Sequence, residues 1–390
     1  MSATTILSSL AIILSPLIAA YNWGVGLRLA AEGGFDISAL SDFSTLTISS
    51  NRCAEPETSF LDRFPEALAC SQVNQRINNN SAQDSAWFDP NEGFVYARKT
   101  IGDPQVWIAV HNQSYDPIRW KTLYERGRYY EHVVLYRFNK ILGHQTAPLT
   151  TVVENVIAHT KNNCLVMDVG ANIGYYSMVA AAHGCDVIAF ELIPSNLLRY
   201  CQSVRLNSVD AQVALYQHGV SDVAGSQLHV RVDRKNPGKS SLRPAGESRL
   251  PGDETVTTVT LDSFSRDHRW LEAEDDSGGT IAKKNRIKLL KIDVEGGEFR
   301  VMEGGQDFLR HGLVEHVLLE MRFGGYLYDA AVKMVAILFQ GGYMVRDAPQ
   351  NVQNPRTGNF THDAKVFLTQ LRKITRLQRM KDMWFYQPNE

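Results

Sequence analysis

The distribution of apolar positions divides the chain into an irregular N-terminal part and a regular C-terminal part. From residue 22 to about residue 85 the sequence is rich in Ser, Asn and acidic residues and shows no sustained hydrophobic period, which is typical of a loosely structured stem or accessory region. After Thr150, short β-branched runs alternate with stretches whose apolar residues recur at helical spacing. This alternation predicts right-handed crossovers and a mostly parallel sheet.

Seven apolar runs in the regular part are predicted to be the strands of that sheet. They lie at 164–169, 186–191, 213–219, 288–294, 317–321, 343–346 and 365–369. Helical spacing is present at 173–182, 195–207 and 331–339. The predicted fold class is therefore α/β, with a seven-stranded, mostly parallel sheet, helices on both faces and an N-terminal extension.

Two shorter patterns lie just before this core. Apolar and aromatic residues at 94–96 and 106–110, bounded by turn residues, predict two strands of a hairpin or lid. Apolar residues recur at helical spacing over 118–142, and Asp116 and Pro117 are a suitable cap and first-turn pair for that stretch. We therefore expect approach helices between the extension and the core.

The first 27 residues carry no charged side chain and include a nearly continuous apolar run at 5–21. Pro16 and the small residues that follow it fit a cleavable signal peptide, whereas the uncharged run as far as Leu27 fits a membrane anchor. A buried helix of the folded body is the remaining alternative. Both membrane-related interpretations predict the secretory pathway, with the protein either secreted or associated with the membrane by a single N-terminal pass.

Composition narrows the expected partners and chemistry. With 44% hydrophobic residues among 390, the chain can bury a full core. A formal net charge of -2 gives no general attraction to nucleic acid, so nucleic acid is not an expected partner. The five cysteines include no C-x-x-C pair, which argues against zinc and dithiol redox sites. Cys164 and Cys185 are expected to be buried small hydrophobes, and Cys53 and Cys70 could pair in an oxidising compartment.

The sequence DVGANIGYYS at 168–177 directly follows the first predicted core strand. A strand that ends in a glycine turn and opens a helix presents backbone N–H groups at the crevice where open α/β folds bind ligands. Gly170 and Gly174 would let a ligand approach the backbone closely, and Asp168 would accept hydrogen bonds there. A βα turn that binds nothing is the alternative.

An acid follows at the end of the next predicted strand. Glu191 stands 17 residues beyond Gly174, a place where a carboxylate can accept hydrogen bonds from ribose hydroxyls. The turn and the acid together predict an adenosine-containing ligand, which NAD would also satisfy. The turn lacks the G-x-G-x-x-G spacing, however, so a nucleotide-dependent oxidoreductase is the less favoured interpretation.

A second polar cluster, KLLKIDVEGGE at 288–298, combines an apolar strand with several charges. The strand delivers Asp293 to the same edge of the sheet, with Lys291 and Glu295 nearby. An acid there can orient a ligand or accept a substrate proton, and paired carboxylates can hold a divalent cation. For Glu298, capping of the next helix is an equal alternative.

A third polar turn, GVSD at 219–222, follows the third predicted strand. Ser221 and Asp222 could meet an adenine amino group at the sheet edge. Ordinary turn chemistry explains both residues almost as well.

These motifs stand in an order that resembles the FkbM-type methyltransferases, from residue 116 to about residue 369. The matching stretches are GRY at 127–129, DVGANIGYYS, AFELIPSN at 189–196, Asn207, GVSD, GKSSL at 238–242, VTLDSF at 259–264, KIDVEGGE at 291–298 and LLEM at 318–321. The resemblance implies a class I Rossmann-like fold that binds S-adenosylmethionine at Gly170, Asn172, Gly174 and Glu191. One departure is LIP at 192–194, where the family usually shows Glu-Pro-x-Pro.

The function that this resemblance implies is S-adenosylmethionine-dependent O-methylation of a hydroxyl group on a glycan or small molecule. Asp293 is the first candidate for the base or orienting acid, followed by Lys291, Glu295 and Glu320, and no metal site is predicted. The predicted donor-binding residues are Asp168, Gly170, Asn172, Gly174, Glu191, Ser221 and Asp222. A non-catalytic S-adenosylmethionine-binding module is the main alternative, and the oxidoreductase is the lesser one.

The predicted domain organisation has four parts. They are a signal peptide or membrane anchor at 1–27, an accessory or stem region with short strands at 28–115, a methyltransferase domain at 116–371 and a basic tail at 372–390. Within the domain, the approach helices occupy 116–150 and the Rossmann-like core 151–371. Because the part before residue 116 lies outside the resemblance, substrate choice is expected to reside partly there.

Overall fold

A computed structural model describes residues 60–64, 66–67, 70, 95–129, 131–143, 164–231, 240–242, 255–270, 287–321, 327–346, 357–375 and 381–388. All of these belong to one compact unit, Thr58–Glu390. The segment 1–27, predicted to be a signal peptide or anchor, lies outside the described residues. Among the helices that the structure describes, none is both long enough and apolar enough to cross a membrane.

The described chain begins with a short hairpin and two approach helices. Strand β1 (Tyr96–Lys99) pairs antiparallel with β2 (Trp107–Val110). Helix α1 (Pro117–Arg119) starts with the predicted cap, because the Asp116 carboxylate accepts a hydrogen bond from the Arg119 N–H at 3.0 Å. The chain continues as a π-helical stretch over Trp120–Glu125, and α2 (His132–Leu142) follows.

From residue 165 onward, strands alternate with helices. The strands are β3 (Leu165–Val169), β4 (Asp186–Phe190), β5 (Val213–Tyr216), β6 (Gly219–Val220), β7 (Gln227–Arg231), β8 (Ser241–Leu242), β9 (Thr255–Val259), β10 (Ile287–Ile292), β11 (Val314–Met321), β12 (Met344–Val345) and β13 (Lys381–Tyr386). The helices are α3 (Tyr175–Ala182), α4 (Pro194–Asn207), α5 (Leu261–Asp267), α6 (Glu298–Glu303), α7 (Gln306–Arg310), α8 (Tyr328–Gln340) and α9 (Phe360–Thr375).

The main sheet has seven strands in the order β12-β13-β11-β10-β3-β4-β5. All neighbouring pairs are parallel except those that include β13, which runs antiparallel to both β11 and β12. The chain fills the sheet from β3 outward to β5 and then returns to place β10 on the other side of β3. This reversal creates a crevice at the carboxyl ends of β3 and β10, where open α/β sheets bind ligands. The structure therefore confirms the predicted Rossmann-like fold class.

The central strands are buried on both faces of the sheet. Met167 and Leu290 belong to an apolar cluster that also contains residues of α5, α7, α8 and α9. Their neighbours Val166 and Leu289 point the other way, into a cluster with residues of α2, α3 and α4. Burial on both faces explains why these strands read as continuous apolar runs rather than as alternating ones.

A second sheet, in the order β6-β9-β7-β8, lies between β5 and β10 along the chain. The predicted strand at 213–219 therefore divides into β5 of the main sheet and β6 of the second one. Thr260 then starts α5 with a capping box, in which its side chain and that of Ser263 each accept a backbone N–H from the other.

The predicted seventh strand at 365–369 was wrong. These residues lie inside α9, whose buried side chains Ala364, Phe367, Leu368 and Leu371 recur at helical spacing. The seventh strand is β13, which lies within the segment predicted to be a basic tail. Its Trp384 and Phe385 side chains are buried, because β13 occupies an inner position between β11 and β12.

The cysteine predictions are also corrected. Cys164 and Cys185, expected to be buried small hydrophobes, form a disulfide with each other, and Cys70 is bonded to Cys201. Parallel pairing of Leu165 with Asp186 brings the two preceding cysteines together, at a Cα–Cα distance of 4.7 Å. Cys53, the other expected partner of Cys70, lies outside the described residues.

Candidate active site

A cavity opens at the carboxyl ends of β3, β4 and β10. Its lining includes most of the predicted site and several residues that were not predicted. The lining residues are Arg119, Tyr129, Val169, Gly170, Ala171, Asn172, Ile173, Tyr175, Tyr176, Phe190, Glu191, Leu192, Ile193, Asn196, His218, Val220, Ser221, Ser240, Lys291, Asp293, Val294, Glu295, Gly296, Gly297 and Arg300.

Gly170 forms the floor of the cavity between two adjacent strands. Its φ is +83°, and a side-chain Cβ at this position would overlap the backbone carbonyl oxygen of Asp293. The N–H groups of Gly170 and Ala171 both donate to the carbonyl oxygen of Phe190, at 3.0 and 2.9 Å. Glycine is therefore required for the close approach of the chain after β3 to the chain after β10.

The other turn residues have different roles. Asn172 also has a positive φ, +55°, and its side-chain oxygen accepts the N–H of Ile173 at 2.9 Å. Asn172 lines the cavity, and its assignment to donor binding stays a prediction. Gly174, with φ +87°, is the N-cap of α3, and a Cβ there would strike the ring of Tyr200. Gly174 thus packs against α4, and it is not among the described residues that line the cavity.

Glu191 is buried at the end of β4 and is held by hydrogen bonds to both of its carboxylate oxygens. Oε2 accepts the N–H of Asn172 at 2.8 Å, and Oε1 accepts the N–H of Ile193 at 2.8 Å. The side-chain amide of Asn196 donates to Oε1 at 3.3 Å. Burial raises the pKa of Glu191, although these hydrogen bonds oppose the shift. The carboxylate is therefore fixed in place at the cavity wall.

Asp168 is buried and is not among the residues that line the cavity. Its side chain is fully buried, and Oδ2 accepts the hydroxyl of Ser177 at 2.7 Å. Oδ1 is 3.5 Å from the ammonium nitrogen of Lys291. The structure therefore places this predicted donor-binding residue as an internal partner of Lys291.

Lys291 is a buried cation between two carboxylates. Its Nζ lies 3.4 Å from Oδ2 of Asp293 and 3.5 Å from Oδ1 of Asp168, and it stands 5.2 Å from the centre of the Tyr176 ring. Burial on its own lowers the pKa of Lys291, but the negative charges of Asp293, Asp168 and Glu131 outweigh burial and raise the pKa above the usual lysine value. The side chain is therefore protonated at neutral pH and cannot take a proton from a substrate.

Asp293 and Glu295 both line the cavity just after β10. The Asp293 side chain is about a quarter exposed, at 25%, so that it reaches both Lys291 and the open space. Glu295 has a φ of +55° in the turn that follows. Glu298 instead accepts the N–H groups of Val294 and Gly296 at 3.1 and 2.9 Å, which is a structural role in shaping that turn.

Carboxylate oxygens of Asp293, Glu298 and Glu320 lie within 4.8 Å of one another, a spacing compatible with a divalent cation. Glu298 already uses Oε1 for two backbone N–H groups. Burial raises the pKa of Glu298, partly against these hydrogen bonds. The expectation of a site without metal stays a prediction.

The two predicted residues after β6, Ser221 and Asp222, differ in their position relative to the cavity. Ser221 is buried and lines the cavity, whereas Asp222 is exposed and lies outside the described lining. The Ser221 hydroxyl donates to Oδ1 of Asp222 at 2.8 Å. Asp222 therefore orients Ser221 from the outside.

Residues from the approach segment complete the cavity, and the sequence motifs did not identify them. Tyr129 lines the cavity and stacks on Tyr175, with ring centres 4.4 Å apart. Glu131 accepts the Tyr176 hydroxyl at 2.7 Å. Burial raises the pKa of Glu131, as does the nearby charge of Asp293, while Lys291 and the Tyr176 hydrogen bond oppose the shift. The GRY stretch at 127–129 was the available signal, but it indicated a resemblance and no role.

Comparison with known proteins agrees with this geometry. Residues 168–345 match the model of the methyltransferase FkbM domain. This part of the chain is an FkbM methyltransferase domain. The match begins at Asp168 below the glycine turn, covers the cavity residues from β3 and β10, and ends at the last residue of β12. The domain is of the S-adenosylmethionine-dependent methyltransferase class, as the resemblance implied, and not of the oxidoreductase class.

Two curated relatives match this chain over similar lengths. Methyltransferase sdnD of Sordaria araneosa is 29% identical over an alignment of 185 residues, and the match covers 42% of this chain and 68% of the relative. Methyltransferase 1 of Beauveria bassiana (strain ARSEF 2860) is 23% identical over an alignment of 171 residues, and the match covers 42% of this chain and 67% of the relative. Both relatives are thus methyltransferases.

Solved methyltransferase structures also align with the chain. The METTL16 MTase domain aligns with 10% identity and a TM-score of 0.32, covering 85% of this chain and 96% of its own. Phosphoethanolamine N-methyltransferase 2 of Haemonchus contortus, solved with S-adenosyl-L-methionine, aligns with 10% identity and a TM-score of 0.26, covering 73% of this chain and 63% of its own.

Proposed function

We propose that this protein transfers a methyl group from S-adenosylmethionine to a hydroxyl oxygen of a glycan or small molecule. The observation that carries the proposal is the arrangement of Asp293 and Lys291. Asp293 reaches the cavity, and Lys291 is a protonated neighbour that orients it. A carboxylate facing an acceptor site is suited to removing the proton of a hydroxyl group during transfer.

The donor end of the cavity is assigned to the side of β3 and β4. Glu191 is a buried carboxylate in the cavity wall, with its orientation fixed by the chain on both sides of it. A carboxylate has about four lone-pair positions, so Oε2, which accepts the Asn172 N–H, retains capacity for a ribose hydroxyl. His218, Val220 and Ser221 line the neighbouring wall, where an adenine ring would lie. These residues fit an adenosine group.

The acceptor end is assigned to the side of β10 and the approach helices, where Tyr129, Tyr175 and Tyr176 form an aromatic wall. S-adenosylmethionine supplies an electrophilic methyl group on a sulfonium. With the donor bound, the acceptor oxygen would bond to the methyl carbon while the carbon–sulfur bond breaks and its electron pair stays on sulfur, and Asp293 would receive the hydroxyl proton. Lys291 remains protonated throughout, so its role is to position Asp293. Much of the rate then comes from holding the acceptor in line with the methyl group.

The test uses labelled S-adenosylmethionine and a panel of glycans, lipids and small alcohols. We expect methyl transfer to at least one acceptor by the wild-type protein. Asp293→Asn should lower kcat by roughly 100-fold or more, since a positioned base contributes about 10²–10⁴ to the rate. Because Asp293 is not assigned to the adenosine end, calorimetry should show donor affinity within about threefold of wild type, a difference of at most about 0.7 kcal/mol.

Two results would contradict parts of this proposal. Donor binding by wild type, with no transfer to any acceptor and no effect of Asp293→Asn, would indicate a non-catalytic binding module. Donor binding that survives Glu191→Ala would remove the adenosine assignment, because that variant lacks the carboxylate to which the ribose is assigned.

We also propose that the protein resides in the secretory pathway, anchored to the membrane or secreted. The disulfides Cys70–Cys201 and Cys164–Cys185 support this location, since disulfides persist in oxidising compartments and are rare in the cytosol. Fractionation of the cells that produce the protein, followed by thiol labelling without reductant, tests it. Recovery in the cytosol with all four cysteines reactive would contradict the proposal.

A further inference from the structure

The segment just before the approach helices is hydrogen-bonded along the helix that follows Glu191. The N–H of Trp107 donates to the side-chain oxygen of Asn207 at 2.9 Å, and the amide of Asn207 donates back to the carbonyl oxygen of Trp107 at 2.7 Å. One turn earlier on α4, Ser203 accepts the N–H of Ala109 at 3.0 Å. Strand β2 is therefore fixed against α4, although it lies well before the FkbM match at 168–345.

His111 extends these contacts to the first turn of α4. Its side chain is buried, at 1% exposure, and its Nε2 is 3.0 Å from the side-chain oxygen of Asn196. The amide group of Asn196 in turn donates to Oε1 of Glu191 at 3.3 Å. His111, Asn196 and Glu191 thus form a continuous chain of hydrogen bonds that ends at the cavity wall.

Chemistry fixes the direction of this chain. A carboxylate only accepts hydrogen bonds, so Asn196 must turn its amide nitrogen towards Glu191 and its oxygen towards His111. The oxygen also only accepts, so Nε2 of His111 must carry a hydrogen. Without that donor, the side-chain oxygen of Asn196 loses its bond to His111, and the amide is held less firmly in this orientation. The hydrogen bond that Asn196 donates to Glu191 would then be weakened.

We propose that His111 is a positioning residue for the methyl-donor site, acting through Asn196 on Glu191. This inference rests on the proposed function, in which the ribose of the donor is assigned to Glu191. It also gives part of the region before residue 116 a role in the site that the FkbM domain alone does not provide. His111 itself lies outside the cavity lining and is not a catalytic residue.

A neighbouring contact supplies a matched control. The hydroxyl of Tyr115 lies 3.1 Å from the hydroxyl of Ser195, so it joins the same segment to the same turn of α4. The Tyr115 contact does not continue to Glu191 in the hydrogen bonds that the structure describes. Tyr115→Phe therefore tests attachment of the segment, and His111 variants test positioning of the carboxylate.

The experiment measures S-adenosylmethionine affinity by calorimetry for wild type, His111→Ala, His111→Gln and Tyr115→Phe. We expect His111→Ala to weaken binding about tenfold, the usual scale for a lost hydrogen bond that leaves a buried polar group unsatisfied. His111→Gln, whose side-chain amide can donate from a similar position, should recover most of that affinity. Tyr115→Phe should bind as wild type does. With donor at saturation, kcat of His111→Ala should stay within about threefold of wild type.

The possible results separate the two proposals. Equal donor affinity in wild type and folded His111→Ala, or equal losses in His111→Ala and Tyr115→Phe, overturns the positioning role and leaves the proposed function intact. The same holds if His111→Gln restores the melting temperature but not the affinity. Failure of wild type to bind S-adenosylmethionine overturns the proposed function itself, and the assignment of His111 with it.

Discussion

Lys291 shows how one buried charge organises the acids of the site. The side chains of Lys291 and Asp168 are only 6% and 1% exposed, so each would be costly to bury without the other. The sequence placed Lys291 and Asp293 at the correct edge of the sheet, because both follow from the run of β10. The sequence could not show that the Asp168 side chain faces Lys291. That contact depends on the register between the neighbouring strands β3 and β10, in which Lys291 is paired with Asp168.

Replacement of Lys291 by Met is expected to destabilise the fold by about 3–5 kcal/mol, because it leaves the buried Asp168 carboxylate without a counter-charge. Urea unfolding near pH 7 measures the change. The matched control is Lys288→Met on the same strand, whose partner Glu315 lies 2.8 Å away in a pair that is 35% and 24% exposed. Because water screens that pair, the control should cost no more than about 1 kcal/mol.

The pH dependence of the same comparison has a definite sign. The pKa of Lys291 is higher in the folded chain than its usual value, so the stabilisation is fully present below the ordinary lysine pKa of about 10.4. It is lost as the pH rises through the higher folded value. The gap between wild type and Lys291→Met should therefore stay constant up to about pH 9 and narrow in more alkaline solution. A stability difference that widens above about pH 10.4 would contradict the charge assigned to Lys291.

At the scale of elements, the strands around the crevice were predictable and the last ones were not. The runs of β3, β4 and β10 are buried on both faces and end in polar motifs, so composition alone marks them. The run at 365–369 is apolar in the same way. The helical period becomes visible only when Phe367 is compared with Ala364 before the run and Leu371 after it. β13 carries Lys381 and Asp382 at its start, which made it read as part of a charged tail.

The glycine turn allows a clean test of close packing between elements. Gly170→Ala should destabilise the fold by more than about 2 kcal/mol, since it adds a clash with Asp293 to the cost of about 1 kcal/mol for a positive φ. Gly296→Ala is the control, because its φ of +104° is also unfavourable but a Cβ there meets no atom within 4 Å. Thermal unfolding of both variants gives the difference. Equal losses would show that backbone strain, and not the approach of β3 to β10, makes Gly170 necessary.

At the scale of the whole molecule, the cysteines were the least predictable feature. Cys164 and Cys185 stand beside apolar runs and read as ordinary core residues until the strand register brings them together. Cys70 and Cys201 are 131 residues apart, and nothing local indicates their contact. The hydrogen bonds between β2 and α4 could not be predicted for the same reason, because each of them joins positions far apart in the sequence.

The two disulfides should differ in their effect on stability. The cost of losing a disulfide grows with the length of the loop it closes, from about 3 kcal/mol for 15 residues to about 4.7 kcal/mol for 100. Replacing Cys70 and Cys201 by Ser, with a separation of 131, should therefore lower the melting temperature more than replacing Cys164 and Cys185, with a separation of 21. The opposite order in scanning calorimetry would contradict an effect exerted through the unfolded chain.

The Cys70–Cys201 bond has one further consequence. It joins the region before the hairpin to α4, so the stretch between them is a covalently closed loop. A protease that cuts once anywhere inside that loop cannot release a fragment. On a gel, the nicked protein would run as a single band until a reductant is added, and then as two, so tryptic digestion compared with and without dithiothreitol reads out the bridge directly.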